Sequence, residues 1–188
     1  MPEMPATRSS DALLRSALDL IADGGIDALT LSQVAAHAHV SRATAYREFG
    51  DKDGLISAVA QHEIALMLAA VNADIDTSAN LPALVATIVV SALRYLRGHR
   101  AFTYIREHEP HWLLHAALAV GDSRMDLVQT VASVVTPAVA ADAARLRLPM
   151  VQTAELMVRT VLSHTLIENS TLSDQEVGEA VAHAVIAD

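Results

Sequence analysis

From Ser10 to Asp23 the apolar residues Leu13, Leu14, Ala17, Leu18, Leu20 and Ile21 recur at the three-to-four spacing of one helix face. Gly24 and Gly25 end that helix, with Ile26 placed for the apolar contact that accompanies a glycine cap. A second stripe, Leu31, Val34, Ala35 and Ala38, follows Thr30 and stops at His39 and Val40. Ser41 then opens a short helix from Arg42 to about Phe49, and Asp51 caps a long one over Lys52 to Asp74. That fourth helix carries Leu55, Ile56, Val59, Ile64, Leu66, Met67, Leu68 and Val71, and at 1.5 Å per residue it is roughly 30 Å long.

After a loop from Asp76 to Asn80, Pro82 marks a fifth helix that reaches Arg97 and halts at Gly98. Pro110 ends one short helix and suits the first turn of the next. Another helix starts at Asp122, where Pro137 kinks or divides it, and the last two run from about Pro149 to Glu168 and Asp174 to Ala187. Ser173 and Glu176 form a capping box there, stapled by Leu172 and Val177. No repeat, low-complexity tract or strand pattern rises above background. The expected fold is all-α: a three-helix head over residues 1–54 and a helical bundle over 55–188.

Composition agrees with that pattern. The 188 residues are 52% hydrophobic but only 3% aromatic, so the core is built from Ala, Val, Leu and Ile. With no cysteine, disulfide frameworks and thiolate zinc sites are excluded. The N-terminus lacks a charged-then-apolar export signal, and the most apolar run, Leu81 to Leu93, has the length of a buried core helix rather than a bilayer span. A cytoplasmic protein is expected, with no membrane partner and no cofactor.

The net charge of −9 argues against indiscriminate binding to a polyanion. Even in the first 55 residues Arg8, Arg15, Arg42, Arg47 and Lys52 are outnumbered by eight acids. Positive charge is concentrated instead at Arg42, Arg47 and Lys52, on and just after the third helix. Thr30 caps the second helix while Gln33 reaches back to it, with Leu29 and Val34 as a hydrophobic staple. Only about three residues separate the second and third helices, the connection of a helix-turn-helix. Lys52, the sole lysine, places a cation where the helix macrodipole opposes it. Either it waits for a phosphate at that N-terminus or it is a solvated surface lysine.

The stretches ALDLIADGGIDALTLSQVAAHAHVS, RATAYREF and DKDGLISAV, in that order and spacing over about Ser10 to Val59, resemble the N-terminal domain of the tetracycline-repressor (TetR) family of transcriptional regulators. Two positions depart from the family. His39 stands where it usually has a glycine in left-handed conformation, at a cost of roughly 1–2 kcal/mol. Gly54 replaces a better helix former and softens the fourth helix by up to about 1 kcal/mol.

The resemblance implies that Thr30, Ser32, Ser41, Thr44, Tyr46 and Lys52 hold the phosphate backbone of double-stranded operator DNA, while Arg42, Ala43 and Arg47 lie nearest the base edges. The chemistry is consistent: hydroxyls and a lysine fix register, arginine pairs bidentately with guanine, and an alanine methyl meets thymine. Tyr46 as plain core packing is the alternative. Phe49 is a core residue, and Glu48 is solvated or paired with Arg47.

For the body the resemblance implies a small-molecule effector pocket and a homodimer through the last two helices; completion of a monomer core is the rival role for those helices. Tyr95, Tyr104, Arg106, His108, His111, Trp112, His115, Met125, Gln129, Met157 and His164 are effector-site candidates by position and type, each with core packing as its competitor. His108, His111 and His115 have spacings that place imidazoles on one helix face, but Pro110 interrupts the helix between the first two, so no metal is expected. The function expected is a ligand-responsive repressor and not an enzyme. A histidine-based enzyme, or an adaptor with a vestigial head, are its rivals.

Overall fold

The computed structural model describes residues 8–76, 78–118, 144–167 and 169–187, with backbone alone at 115–118. Among them the helices are α1 (Arg8–Gly24), α2 (Leu31–His37), α3 (Arg42–Phe49), α4 (Lys52–Asp74), α5 (Leu81–Gly98), α6 (Arg100–His108), α7 (Pro110–Leu118), α8 (Met150–Leu166) and α9 (Asp174–Val185). The one β feature among them is an isolated antiparallel bridge between Leu146 and Ile186. The fold is all-α. The helix expected at Asp122, and its break at Pro137, lie outside the described residues.

The chain forms two compact units, and the division falls inside α4, between Ile64 and Ala65, and again between Gly98 and His99. The first unit joins α1 to α3 and the start of α4 with α6 and α7. Its core takes Leu13, Ala17 and Ile21 from α1, Leu31, Val34 and Ala35 from α2, Ala45 from α3, Leu55 and Val59 from α4, and Ala101 from α6. Ile105 and Trp112 pack against it. Thus α6 and α7, which follow the predicted boundary at residue 55, share a core with the three-helix head.

Local chemistry sets the ends of these helices. Thr30 Oγ1 accepts the Gln33 N–H at 3.2 Å and donates to Gln33 Oε1 at 2.8 Å. Leu29 and Val34 are both buried beside that cap. Ser41 Oγ accepts the Thr44 N–H at 3.1 Å. Between α2 and α3, His39 takes φ 55°, and the His39 and Val40 N–H groups return to the Ala36 and Ala35 carbonyls, the paired bonds of a Schellman ending. A left-handed residue is therefore required there, as the family resemblance implied. Asp51 caps α4 by accepting the Gly54 N–H at 2.8 Å.

Gly54 has a reason that helix propensity does not supply: a Cβ there would collide with the Phe49 carbonyl oxygen, because the chain doubles back tightly between α3 and α4. The glycine is the only residue that fits this backbone as it stands.

The second unit is organised by α5 and α9, its most extensively packed pair. Leu81, Leu84, Val85, Ile88, Val89 and Leu93 of α5 meet Val177, Val181 and Val185 of α9 and Ala154, Met157 and Val161 of α8 in one core. The apolar run of α5 is thus a core helix, although α4 and α5 both have the length and composition to cross a membrane. Gly178 allows the close approach: a Cβ there would lie 2.9 Å from the Ala86 carbonyl oxygen. Ser173 and Glu176 form the expected capping box at the start of α9. Arg97 pairs with Asp174 at 2.9 Å, and Arg147 Nε donates to the Ile186 carbonyl at 2.6 Å.

Candidate functional site

The outer surface of α3 is the candidate site. Ala45 is buried and Phe49, four residues on, packs with it against the first core, which fixes the inward face of this eight-residue helix. Arg42, Ala43, Tyr46 and Arg47 consequently project outward, all exposed. Tyr46 is 51% exposed, so it is not core packing. Arg47 and Glu48 approach at 3.8 Å with the arginine largely in solvent, a loose pair of little energetic weight.

At the helix start Ser41 Oγ and Thr44 Oγ1 lie 2.9 Å apart, and Thr30 is exposed while Ser32 is half-buried. Lys52 is half-buried, and its Nζ donates to the Asp27 carbonyl at 2.9 Å. The turn after α1 thereby anchors the lysine, and an ammonium has three N–H donors, so one such bond does not exhaust it.

A second constellation surrounds that turn. Glu109, between α6 and α7, is only 8% exposed, yet its Oε2 accepts the Ile26 N–H at 2.6 Å and its Oε1 the Asp27 N–H at 3.0 Å. Gly25, at φ 81°, leaves room for this carboxylate, because a Cβ would overlap it. Trp112 Nε1 donates to Asp27 Oδ1 at 2.9 Å, and His111 Nε2 stands 3.5 Å from the same oxygen. The indole hydrogen bond, with the His111 ring and Lys52 adding to it, holds the Asp27 carboxyl below its ordinary value of 3.8. At the far end of α6, His99 Nδ1 accepts the Phe102 N–H at 3.1 Å and its Nε2 meets Glu63 Oε2 at 2.6 Å.

Sequence reasoning passed over Glu109, Asp27 and Glu63. A signal for the first was present: an acid at the C-terminal end of a helix opposes the macrodipole, as a lysine does at the other end.

The model of the family described as bacterial regulatory proteins, tetR family, matches residues 13–59. A helix-turn-helix-type transcriptional regulator of Mycobacterium bovis is 32% identical over 126 residues, 67% of this chain and 64% of that protein. The chain belongs to the TetR family. The regulator AlkX of Mycobacterium tuberculosis is 30% identical over 148 residues, 76% of this chain and again 64% of the relative. The matched region therefore spans under two thirds of these relatives' length. Among solved structures, the TetR-family repressor AlkX of a Dietzia strain superposes with a TM-score of 0.71 at 18% identity, covering 92% of this chain and 93% of its own. The fatty acid degradation regulator FadR of Bacillus halodurans gives 0.63 at 12% identity, covering 97% and 95%. Both share the TetR fold.

The effector-site candidates fall in both units. Tyr104, Arg106, His108, His111 and Trp112 belong to the first, where Tyr104 and His108 stack with ring centroids 4.3 Å apart and Arg106 pairs with Glu107 at 3.1 Å. Tyr95, Met157 and His164 belong to the second. Met157 is 2% exposed and part of that unit's core, while His164 Nε2 hydrogen-bonds Ser170 Oγ at 3.1 Å. Met125, Gln129 and the side chain of His115 lie outside the described residues.

Proposed function

We propose that this TetR-family chain is a cytoplasmic, ligand-responsive transcriptional repressor, acting by binding and not by catalysis, whose homodimer grips a pseudo-palindromic operator. The outward set Arg42, Ala43, Tyr46 and Arg47 on α3, fixed by the burial of Ala45 and Phe49, carries the reading. Arg42, Ala43 and Arg47 meet base edges; Thr30, Ser32, Ser41, Thr44, Tyr46 and Lys52 hold phosphates. In an acidic chain with thirteen Lys and Arg, the three at Arg42, Arg47 and Lys52 give the reading helix and its neighbour a local positive patch for DNA.

In the dimer, α8 and α9 pair with their twofold mates and set the two reading helices roughly 34–36 Å apart. An effector held in the body favours a different spacing. A bias of a few kcal/mol between the two spacings is enough to release the operator. The effector is proposed to be largely apolar. α4 leaves Leu66 exposed and Ile64, Met67 and Leu68 half-buried, and AlkX of Dietzia is described as implicated in biodegradation of n-alkanes.

Titrating the protein into a duplex from the region upstream of its own gene tests the reading. Expected is a sequence-selective complex of two chains per operator that weakens steeply with salt. Equal affinity for unrelated DNA contradicts it.

A further inference from the structure

We infer that Glu109 and Trp112 are positioning residues for the reading head: from the elbow between α6 and α7 they grip the Gly25–Asp27 turn and so set the placement of α2 and Lys52 against DNA. This rests on the DNA-binding role proposed above.

The turn is held from two sides within one compact unit. From the elbow, the Glu109 carboxylate takes two consecutive backbone N–H groups, those of Ile26 and Asp27, more than eighty residues away in sequence. Trp112 adds an indole N–H to the Asp27 carboxylate. From the head, Lys52 at the start of α4 reaches the carbonyl of the same Asp27. Asp27 therefore offers its amide to Glu109, its carboxylate to Trp112 and its carbonyl to Lys52. Three residues further on, Thr30 caps α2. Any shift of the elbow is passed to the phosphate-facing lysine and to the first helix of the helix-turn-helix through one short peptide segment.

The chemistry of the grip suits a rigid link. Ile26 is buried and its N–H needs a partner, which a neutral acceptor would supply; a buried carboxylate that collects this amide and the Asp27 one carries an added desolvation cost. What it provides is direction, because two charge-assisted bonds to adjacent amides fix both the distance and the angle of the elbow. Trp112 also packs against the first core, so the indole cannot leave Asp27 without disturbing that packing. Gly25 completes the match, since only glycine leaves space for the carboxylate at that left-handed position.

The test uses the full chain and a duplex from upstream of its own gene. Trp112 is the sole tryptophan, so its emission reports the joint without labelling. Adding the duplex to the unsubstituted protein is expected to shift that emission. Glu109→Gln, which replaces one acceptor oxygen with an amide N–H group, is expected to weaken operator binding roughly tenfold while leaving helix content unchanged. Trp112→Phe keeps the aromatic packing and removes the N–H; it is expected to weaken binding in the same direction and carries the test if Glu109→Gln does not fold. The inference is overturned if the unsubstituted protein binds selectively but its emission does not respond, or if the variants melt at lower temperature yet bind with unchanged affinity. Failure of the unsubstituted protein to bind any sequence selectively refutes the regulator reading itself, and this inference with it.

Discussion

Trp112 donates its indole N–H to the Asp27 carboxylate across 85 residues of sequence, at 2.9 Å. The bond favours the ionised acid, so the folded-state pKa lies below the ordinary 3.8. A depressed carboxyl stabilises the fold fully above its unfolded value and loses that contribution as pH falls through the folded one. Emission of Trp112 should therefore hold steady on acidification until below pH 3.8. In Trp112→Phe the first unit should lose this source of acid sensitivity, as followed by circular dichroism.

Glu176 gives a second acid-sensitive point in the other unit. The Ser173 N–H donates to its Oε2 at 2.7 Å and holds the carboxyl below its ordinary value of 4.5. The capping box is intact above that value and is lost as pH drops through the lowered one. Ser173→Ala should cost about 1 kcal/mol in urea unfolding at neutral pH.

His39 occupies a left-handed conformation at φ 55°. His39→Gly removes the steric cost and should raise stability by about 1 kcal/mol, whereas a β-branched residue there should lower it. Thermal melting of the two variants checks the sign.

Gly178 faces the Ala86 backbone. Gly178→Ala adds helix propensity but drives a methyl to 2.9 Å from a carbonyl oxygen and 3.0 Å from Val90 Cγ2, and neither a backbone atom nor a packed valine yields freely. Overpacking of this kind costs roughly 1–3 kcal/mol, so the second unit should unfold at lower urea despite the better helix former.

Features set by neighbours in sequence were legible without coordinates. Thr30, Ser41, Asp51 and Ser173 cap helices because each bonds an amide three residues on, and α3 and α4 keep the bounds their caps imply. The left-handed turn at His39 was legible only through the family resemblance, which places a glycine there. Glu109 was legible only as an acid placed against a helix macrodipole; its partners were not, because they lie more than eighty residues away and no periodicity links an acid before a proline to a turn after a glycine pair. Gly54 was misjudged as a mere weakness, since helix propensity knows nothing of the Phe49 carbonyl folded over it. In the body, residue type alone left Met157 and Trp112 open between core and ligand; packing puts Met157 in the second core and turns the Trp112 N–H toward Asp27.

If the outer face of α3 reads DNA, Arg47→Ala and Lys52→Ala must fail in different ways when each is titrated with one operator and one unrelated duplex across salt. Loss of discrimination in Arg47→Ala, with Lys52→Ala weakening both duplexes alike and lowering the salt slope by about one phosphate, is the result expected. Undiminished selectivity in Arg47→Ala and in Arg42→Ala, with the fold intact, would contradict it.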